Sequence, residues 1–242
     1  HILCPPEVIM SFIKKISCKT KNGFISSILV GLIISNSAWS VNASDDAIIL
    51  LYHKFSEPAK STISINRDNF SNHIKELTSG PYNVLPLAQL IRSLEINQAL
   101  PERTIIITLD EAYESILKNA WPLLKANGLP ATLFLTTQPI NIGKKGYLSW
   151  GQIKKMVKQG LSIGLKAHTQ RRLTTLTQKE LEREIQTARS LILTNLAVTP
   201  VAFAFPYGIA SLAVQKVVKA NGFKIGFGQH SGVLHRGTQR YY

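Results

Sequence analysis

The chain has 242 residues, of which 45% are hydrophobic and 17% are charged, and its formal net charge is +14 at pH 7. This composition excludes a disordered or low-complexity chain and is typical of a folded globular protein. The basic balance favours anionic partners.

Residues 1–43 are predicted to be absent from the mature protein. The residues before Met10 read as translated upstream sequence, and a basic segment, the apolar stretch Phe24–Ile34 and small residues up to Ala43 then follow. This order is typical of a secretory signal peptide, and the apolar stretch is shorter than the about 20 residues that span a bilayer. An uncleaved anchor is the alternative. Because Cys4 and Cys18 lie in this segment, the mature protein is expected to lack disulfides, thiol nucleophiles and cysteine metal ligands.

A single exported domain is therefore expected over residues 44–242, in the periplasm, bound to the envelope or secreted. In such a location, the anionic partners of a basic domain are envelope polymers or lipid headgroups rather than nucleic acid. A cationic surface that serves only solubility is the alternative interpretation.

From Ala47 onward, short β-branched runs alternate with helical patterns. Helical faces are predicted around Phe70–Leu77 and Leu87–Leu94. Capping-box spacing predicts helix starts at about Gly151 and Gln178. The predicted strands number seven: Ala47–Tyr52, Tyr82–Leu85, Thr104–Leu109, Ala131–Thr136, Leu161–Gly164, Val201–Phe205 and Lys224–Phe227.

Seven consecutive β–α units predict an α/β protein, a seven-stranded distorted (β/α) barrel similar to a TIM barrel. The first strand is not followed by the glycine pattern G-x-G-x-x-G, which argues against a dinucleotide-binding sheet. The chain stops at Tyr241-Tyr242 without a closing segment, which suggests that a C-terminal piece is missing.

Polar or constrained residues follow four of the predicted strands. In a parallel barrel the carboxyl ends of the strands form the reactive face, so these residues are expected to surround one cleft. Taken alone, a histidine after a strand is more often structural, and an acidic pair can simply complement a helix dipole. Their shared placement favours a functional site, and they are His53, Asp110, Glu111, Lys166, His168, Gln170, Pro206 and Tyr207.

The segment Thr108–Tyr113 reads TLDEAY and resembles the TFDDGY motif of polysaccharide deacetylases with NodB homology, the carbohydrate esterase family four type. The similarity continues in order along nearly the whole predicted mature chain, through Trp121–Leu124, Leu129–Phe134, Leu148–Trp150 and Phe203–Gly208. It is greatest toward the exported poly-N-acetylglucosamine deacetylase branch.

The resemblance implies hydrolytic removal of acetyl groups from an N-acetylated envelope or extracellular polysaccharide. It implies that Asp110 is the general base, that Glu111 binds a divalent ion of the zinc type, and that the backbone of Tyr207 stabilises the oxyanion. The substrate-binding residues expected from position are His53, Trp150, Lys166, Gln170 and Pro206.

The chain departs from the family pattern at the two histidines that bind the metal. An ungapped alignment places Lys166 and Gln170 at those positions, with His168 between them, and every register leaves at most one histidine. His168 is therefore a doubtful metal ligand, and tight zinc binding is not expected. In an alternative arrangement, the Lys166 ammonium occupies the space of the ion and pairs with Asp110 and Glu111.

Two other functions stay open at this stage. The first is a weakly active or inactive carbohydrate-binding pseudoenzyme on the same barrel. The second, glycoside cleavage by Asp110 and Glu111, is disfavoured because adjacent carboxylates rarely face one bond from two sides. His230 and His235 are expected to be surface residues.

Overall fold

The computed structural model describes residues 43–55, 63–229, 233–235 and 241. All seven predicted strands are present in one sheet, and strands are numbered here in chain order. They are β2 (Asp46–Tyr52), β5 (Asn83–Val84), β7 (Thr104–Asp110), β8 (Ala131–Thr136), β9 (Ser162–Ala167), β10 (Ala202–Ala204) and β11 (Ile225–Phe227). Five further strands were not predicted: β1 (Ala43–Ser44), β3 (Lys54–Phe55), β4 (Ser64–Ile65), β6 (Leu100–Pro101) and β12 (Val233–His235).

The main sheet has the strand order β11-β10-β9-β8-β7-β2-β12, and β5 pairs with the start of β7. All neighbours in this order are parallel except β12, which is antiparallel to β2. Within the described residues no ladder joins the end strands β11 and β12, so the barrel is open there. The predicted (β/α) barrel is confirmed, with β12 as an additional strand that the sequence did not reveal.

Seven helices of the described chain flank the sheet. They are α1 (Arg67–Ser79), α2 (Leu87–Glu95), α3 (Trp121–Ala126), α4 (Thr137–Asn141), α5 (Trp150–Lys158), α6 (Gln178–Leu196) and α7 (Leu212–Ala220). A π-helical turn at Ile116–Ala120 precedes α3. Both predicted capping boxes are formed, by Ser149 at the start of α5 and by Thr177 at the start of α6. The α5 helix begins one residue earlier than predicted.

The central strands β7 and β8 are buried along their whole length. Continuous burial is expected of parallel strands that are covered on both faces. One face packs on α1, α3, α5, α6 and α7, while the other carries a smaller cluster with Ile106, Phe134 and residues of α2. Because strand side chains alternate, Asp110 lies on the same face as Ile106, at the carboxyl end of β7.

All of the predicted leader except Ala43, that is residues 1–42, lies outside the described residues, as does His230. Within the described part, no helix is long and apolar enough to cross a membrane. His235 is exposed and pairs with Asp46 at 2.5 Å, at the amino-terminal end of β2. The prediction that His235 is a surface residue is therefore confirmed.

Candidate active site

The carboxyl ends of four strands of the main sheet carry the predicted site residues. His53 follows β2, Asp110 ends β7, Lys166 lies near the end of β9, and Pro206–Gly208 forms a 3-10 turn after β10. These strands are parallel, so the residues share one edge of the sheet. The structure thus places them as the strand-end pattern predicts.

Glu111 is held in a sharp turn directly after β7. Its φ of +58° is in the left-handed region, which is unfavourable for a residue with a side chain. The turn is fixed by hydrogen bonds from the Glu111 N–H to the Phe134 carbonyl at 2.9 Å and from the Tyr113 N–H to the Glu111 carbonyl at 2.7 Å. This strained backbone turns Glu111 toward the same space as Asp110.

Lys166 connects the two carboxylates. Its Nζ lies 2.8 Å from Asp110 Oδ2 and 3.3 Å from Glu111 Oε1. Asp110 is 2% exposed and Lys166 is 3% exposed, so the ion pairs are shielded from water. Burial disfavours the ammonium, but the charges of Asp110 and Glu111 outweigh it and raise the pKa of Lys166 above its ordinary value. Lys166 is therefore charged at neutral pH.

A bulge in β9 presents Lys166 to the carboxylates. Leu135 of β8 pairs with Leu165, whereas the next residue, Thr136, pairs with Ala167. Lys166 is thus an extra residue that has no pairing partner in β8, and such bulges redirect a side chain.

His53 contacts Asp110 from the end of β2, which lies on one side of β7, whereas Lys166 comes from β9 on the other side. Its Nε2 is 3.5 Å from Asp110 Oδ2 and 3.3 Å from the side-chain nitrogen of Gln229. Burial lowers the pKa of His53, and Lys166 and Lys54 act in the same direction, so the attraction of the carboxylates does not restore it. His53 is consequently neutral at neutral pH. Its Nδ1 is buried and has no partner among the described residues.

Two tyrosines that the sequence reasoning missed line the mouth. The Tyr113 hydroxyl donates a hydrogen bond to Glu111 Oε2, and the rings of Tyr113 and Tyr147 lie 4.9 Å apart. Lys54 Nζ is 4.4 Å from the centre of the Tyr113 ring. Burial and the hydrogen bond to Glu111 raise the pKa of Tyr113. The Tyr113 hydroxyl therefore stays protonated and remains a donor.

The loop after β9 holds His168 and Gln170, and the described contacts of the two carboxylates do not include His168. Its Nδ1 lies 2.9 Å from the Thr137 hydroxyl, and within the described chain it forms no ion pair with an acidic side chain. Glu184 of α6, which the sequence reasoning also missed, accepts hydrogen bonds from the Thr169 N–H and hydroxyl, both at 2.7 Å.

Tyr207 fastens this loop to the turn after β10. Its hydroxyl donates to the Gln170 carbonyl at 2.7 Å, and its side chain is 41% exposed with Arg172 against the ring. Its φ of +58° is again left-handed, and Pro206 beside it is buried. The exposed Gln170 side chain interacts with Tyr147.

Trp150 begins α5, two residues after Leu148, whose N–H bonds to the Ala112 carbonyl at 2.7 Å. This contact ties the start of the helix to the turn that carries Glu111. Trp150 packs partly on the main core, and its buried Nε1 has no partner in the described part of the chain.

The residues present do not fit a catalytic zinc ion. Such a site needs three nitrogen or carboxylate ligands around one open position. No group of three or more such side chains is arranged to hold a metal among the described residues. Both Glu111 oxygens already accept hydrogen bonds, from Lys166 and Tyr113, and His168 bonds to Thr137.

The fold and the buried polar cluster define a (β/α)-barrel protein with its candidate site at the carboxyl ends of the strands. Residues 97–226, more than half of the chain, match the family model for polysaccharide deacetylase. The chain belongs to the polysaccharide deacetylase family. The resemblance seen in the sequence is thereby confirmed.

Two curated relatives show how far the similarity extends. The chain is 25% identical over 193 residues to the protein YxkH of Bacillus subtilis (strain 168), covering 80% of this chain and 68% of the relative. It is 24% identical over 191 residues to the poly-beta-1,6-N-acetyl-D-glucosamine N-deacetylase of Staphylococcus aureus (strain MRSA252), covering 74% and 66%. The chain thus spans about two thirds of the length of these relatives.

Solved structures share the fold. The deacetylase PplD of Streptococcus pyogenes superposes with a TM-score of 0.76 at 20% identity, covering 81% of this chain and 88% of that one. IcaB from Ammonifex degensii gives a TM-score of 0.73 at 20% identity, covering 82% and 90%.

Proposed function

We propose that the protein hydrolyses the N-acetyl groups of an N-acetylated polysaccharide, of the poly-N-acetylglucosamine kind named for its Staphylococcus aureus relative. Family membership supports the reaction class. The observation that carries the proposal is the state of the Asp110 carboxylate. One of its oxygens is held by Lys166, and the other has no partner among the described residues and is available to accept a proton.

Asp110 has the geometry of a general base. Its Oδ2 is held by Lys166 and approached by His53, while its buried Oδ1 has no partner among the described residues. A buried carboxylate oxygen without a donor is costly, and a substrate or water O–H satisfies it. A water bound to Oδ1 can add to the acetyl carbonyl carbon while its proton passes to Asp110.

The rest of the reaction uses neighbouring groups. The negative charge that develops on the carbonyl oxygen requires donors, and the Lys166 ammonium and the backbone of the Tyr207 turn are the candidates at this edge. When the carbon–nitrogen bond breaks, the proton on Asp110 passes to the amine nitrogen and acetate leaves. A lysine supplies charge but does not lower the pKa of a bound water as zinc does, so slow turnover is expected.

A second function, carbohydrate binding without turnover, is favoured by the same lysine. Lys166 engages both carboxylates, so the group that would take a proton is already neutralised in part. Tyr113, Tyr147 and Tyr207 supply ring surface at the mouth in either case, since sugars stack on aromatic side chains.

Acetate release from β-1,6-linked N-acetylglucosamine oligomers, measured together with calorimetric binding, separates the two functions. Asp110→Asn keeps the shape of the side chain and removes the base, so turnover should fall by about 100-fold or more. The control is Asp68→Asn, which changes an exposed carboxylate in the first turn of α1. Binding without acetate release supports the second function, and neither binding nor release refutes both.

The predicted leader supports action outside the cytoplasm, near anionic envelope polymers. N-terminal sequencing of the protein from an envelope fraction should give a mature terminus near Ser44. A terminus at Met10 in a cytoplasmic fraction contradicts export.

A further inference from the structure

We infer that Lys166 is a built-in cation that takes the place of a divalent ion, so that the two carboxylates are held without a metal. The inference rests on the proposed function only in treating the strand-end cluster as the working site. It is tested by metal binding and stability, so it can fail or hold independently of turnover.

The first support is the position of the ammonium. Lys166 Nζ lies between one oxygen of each carboxylate, at 2.8 Å from Asp110 and 3.3 Å from Glu111. Two adjacent buried carboxylates need a cation nearby, because their charges repel each other in a poorly solvated site. The chain supplies that cation from its own β9 strand, at the point where these two carboxylates face each other.

The second support is the occupancy of the carboxylate oxygens. Glu111 Oε1 accepts from Lys166 and Glu111 Oε2 accepts from Tyr113, so both oxygens of Glu111 already have a donor. Of the four carboxylate oxygens of Asp110 and Glu111, only Asp110 Oδ1 is buried without a partner among the described residues. A divalent ion would have to displace two intramolecular donors and then share the space with an ammonium, which repels it.

The third support is that Lys166 has been placed by the backbone. The bulge between Leu165 and Ala167 makes Lys166 the extra residue of β9, and both neighbours are buried. Lys166 is therefore a buried strand residue whose direction is set by the backbone, and it is not a flexible surface side chain.

Removal of the lysine should open a metal site. Lys166→Met leaves Asp110 and Glu111 without their cation, with the imidazole of His53 3.5 Å from Asp110. Two carboxylates and an imidazole are acceptable ligands for Zn²⁺ or Mn²⁺. A second variant, Lys166→His, replaces the ammonium with a group that itself binds such ions.

The experiment compares the full chain, both variants and the exposed-lysine control Lys155→Met. Metal content is measured by mass spectrometry after purification, and thermal unfolding is followed with chelator, with Zn²⁺ and with Mn²⁺. The unmodified protein and Lys155→Met should contain well under one metal per chain, and their melting temperatures should not respond to chelator or metal. A ligand at about 100 times its Kd raises the melting temperature by several degrees, which is the response expected of the Lys166 variants.

The unmodified protein alone decides the inference if neither variant folds. About one tightly bound metal per chain, with a melting temperature that drops by several degrees in chelator, overturns it. The inference is also overturned if folded Lys166→Met and Lys166→His bind no more metal than Lys155→Met. Acetate release without metal supports both the inference and the proposed hydrolysis, whereas metal independence without acetate release supports the inference and contradicts hydrolysis.

Discussion

Lys166→Met should destabilise the fold at neutral pH, because it removes the only cation that contacts Asp110 and Glu111 in the described part of the chain. Removing one partner of a buried ion pair costs about 3–5 kcal/mol, since an uncompensated charge stays buried. Domains of this kind are stable by about 5–15 kcal/mol, so the loss is a large part of the total. Methionine fills a similar volume, which keeps the cavity contribution small.

The chain offers a control that is matched in distance. Lys118 Nζ lies 2.8 Å from Glu114, as far as Lys166 lies from Asp110, but these side chains are 69% and 40% exposed. An exposed pair contributes at most about 1 kcal/mol, so Lys118→Met should have little effect. Because the two ion pairs have the same length, a difference in the loss of stability between Lys166→Met and Lys118→Met reports the effect of burial.

Urea unfolding followed by circular dichroism measures both variants. If Lys166→Met and Lys118→Met lose the same free energy of unfolding, within about 1 kcal/mol, the ion pairs do not hold the site together and the reasoning fails.

Three further predictions concern pH and packing. The pKa of Lys166 is raised in the folded protein, so the stability that its charge contributes is fully present below the unfolded pKa, near 10.5. This contribution is lost as the pH rises through the higher folded value. Urea unfolding at a series of alkaline pH values should show the loss in the unmodified protein and not in Lys166→Met. Glu184→Ala should cost about 1.5–3 kcal/mol in urea unfolding, because it leaves the Thr169 N–H without its acceptor, and a loss below about 0.5 kcal/mol contradicts this account. Gly164→Ala places a Cβ 2.4 Å from the Phe134 ring, so calorimetry should show a loss of about 1–3 kcal/mol, and an unchanged melting temperature would mean that the ring moves freely.

The sequence predicted the repeating part of the fold because local chemistry controls it. Strands β7 and β8 are apolar along their length, which is typical of strands covered on both faces. The capping boxes at Ser149 and Thr177 depend on residues only three positions apart. From β7 to β11, consecutive β–α units lie side by side, as expected. The second predicted strand does not follow this rule, because β2 pairs directly with β7 and β5 contacts only the start of β7.

Features that depend on distant pairing could not be predicted in this way. The strand β12 has three residues and exists because it pairs with β2, which lies far earlier in the chain. Gln229 reaches His53 across the barrel opening, and Glu184 reaches Thr169 from the next helix. Nothing in the local sequence of Gln229 or Glu184 distinguishes it from an ordinary polar residue. Tyr113, in contrast, lies within the TLDEAY segment, so its role beside Glu111 could have been found from the motif.

The contact of Lys166 with both carboxylates was anticipated as an alternative, although its backbone cause was not. The alignment placed a lysine at a histidine position, and the chemistry of two adjacent carboxylates then required a cation. The bulge that aims the side chain is a difference of one residue in register between β8 and β9, which the pattern of apolar residues does not record.

A lysine in place of an ion also changes how stability and reactivity are related. A metal stabilises a folded chain by an amount that grows with the logarithm of its concentration relative to its Kd, so a metal site holds its carboxylates only when it is loaded. The Lys166 ammonium is present in every folded molecule, and the strained turn at Glu111 is therefore held constantly. The same ammonium carries one charge and binds no water as a Lewis acid, so the chemistry left to Asp110 is that of an oriented base beside a fixed cation.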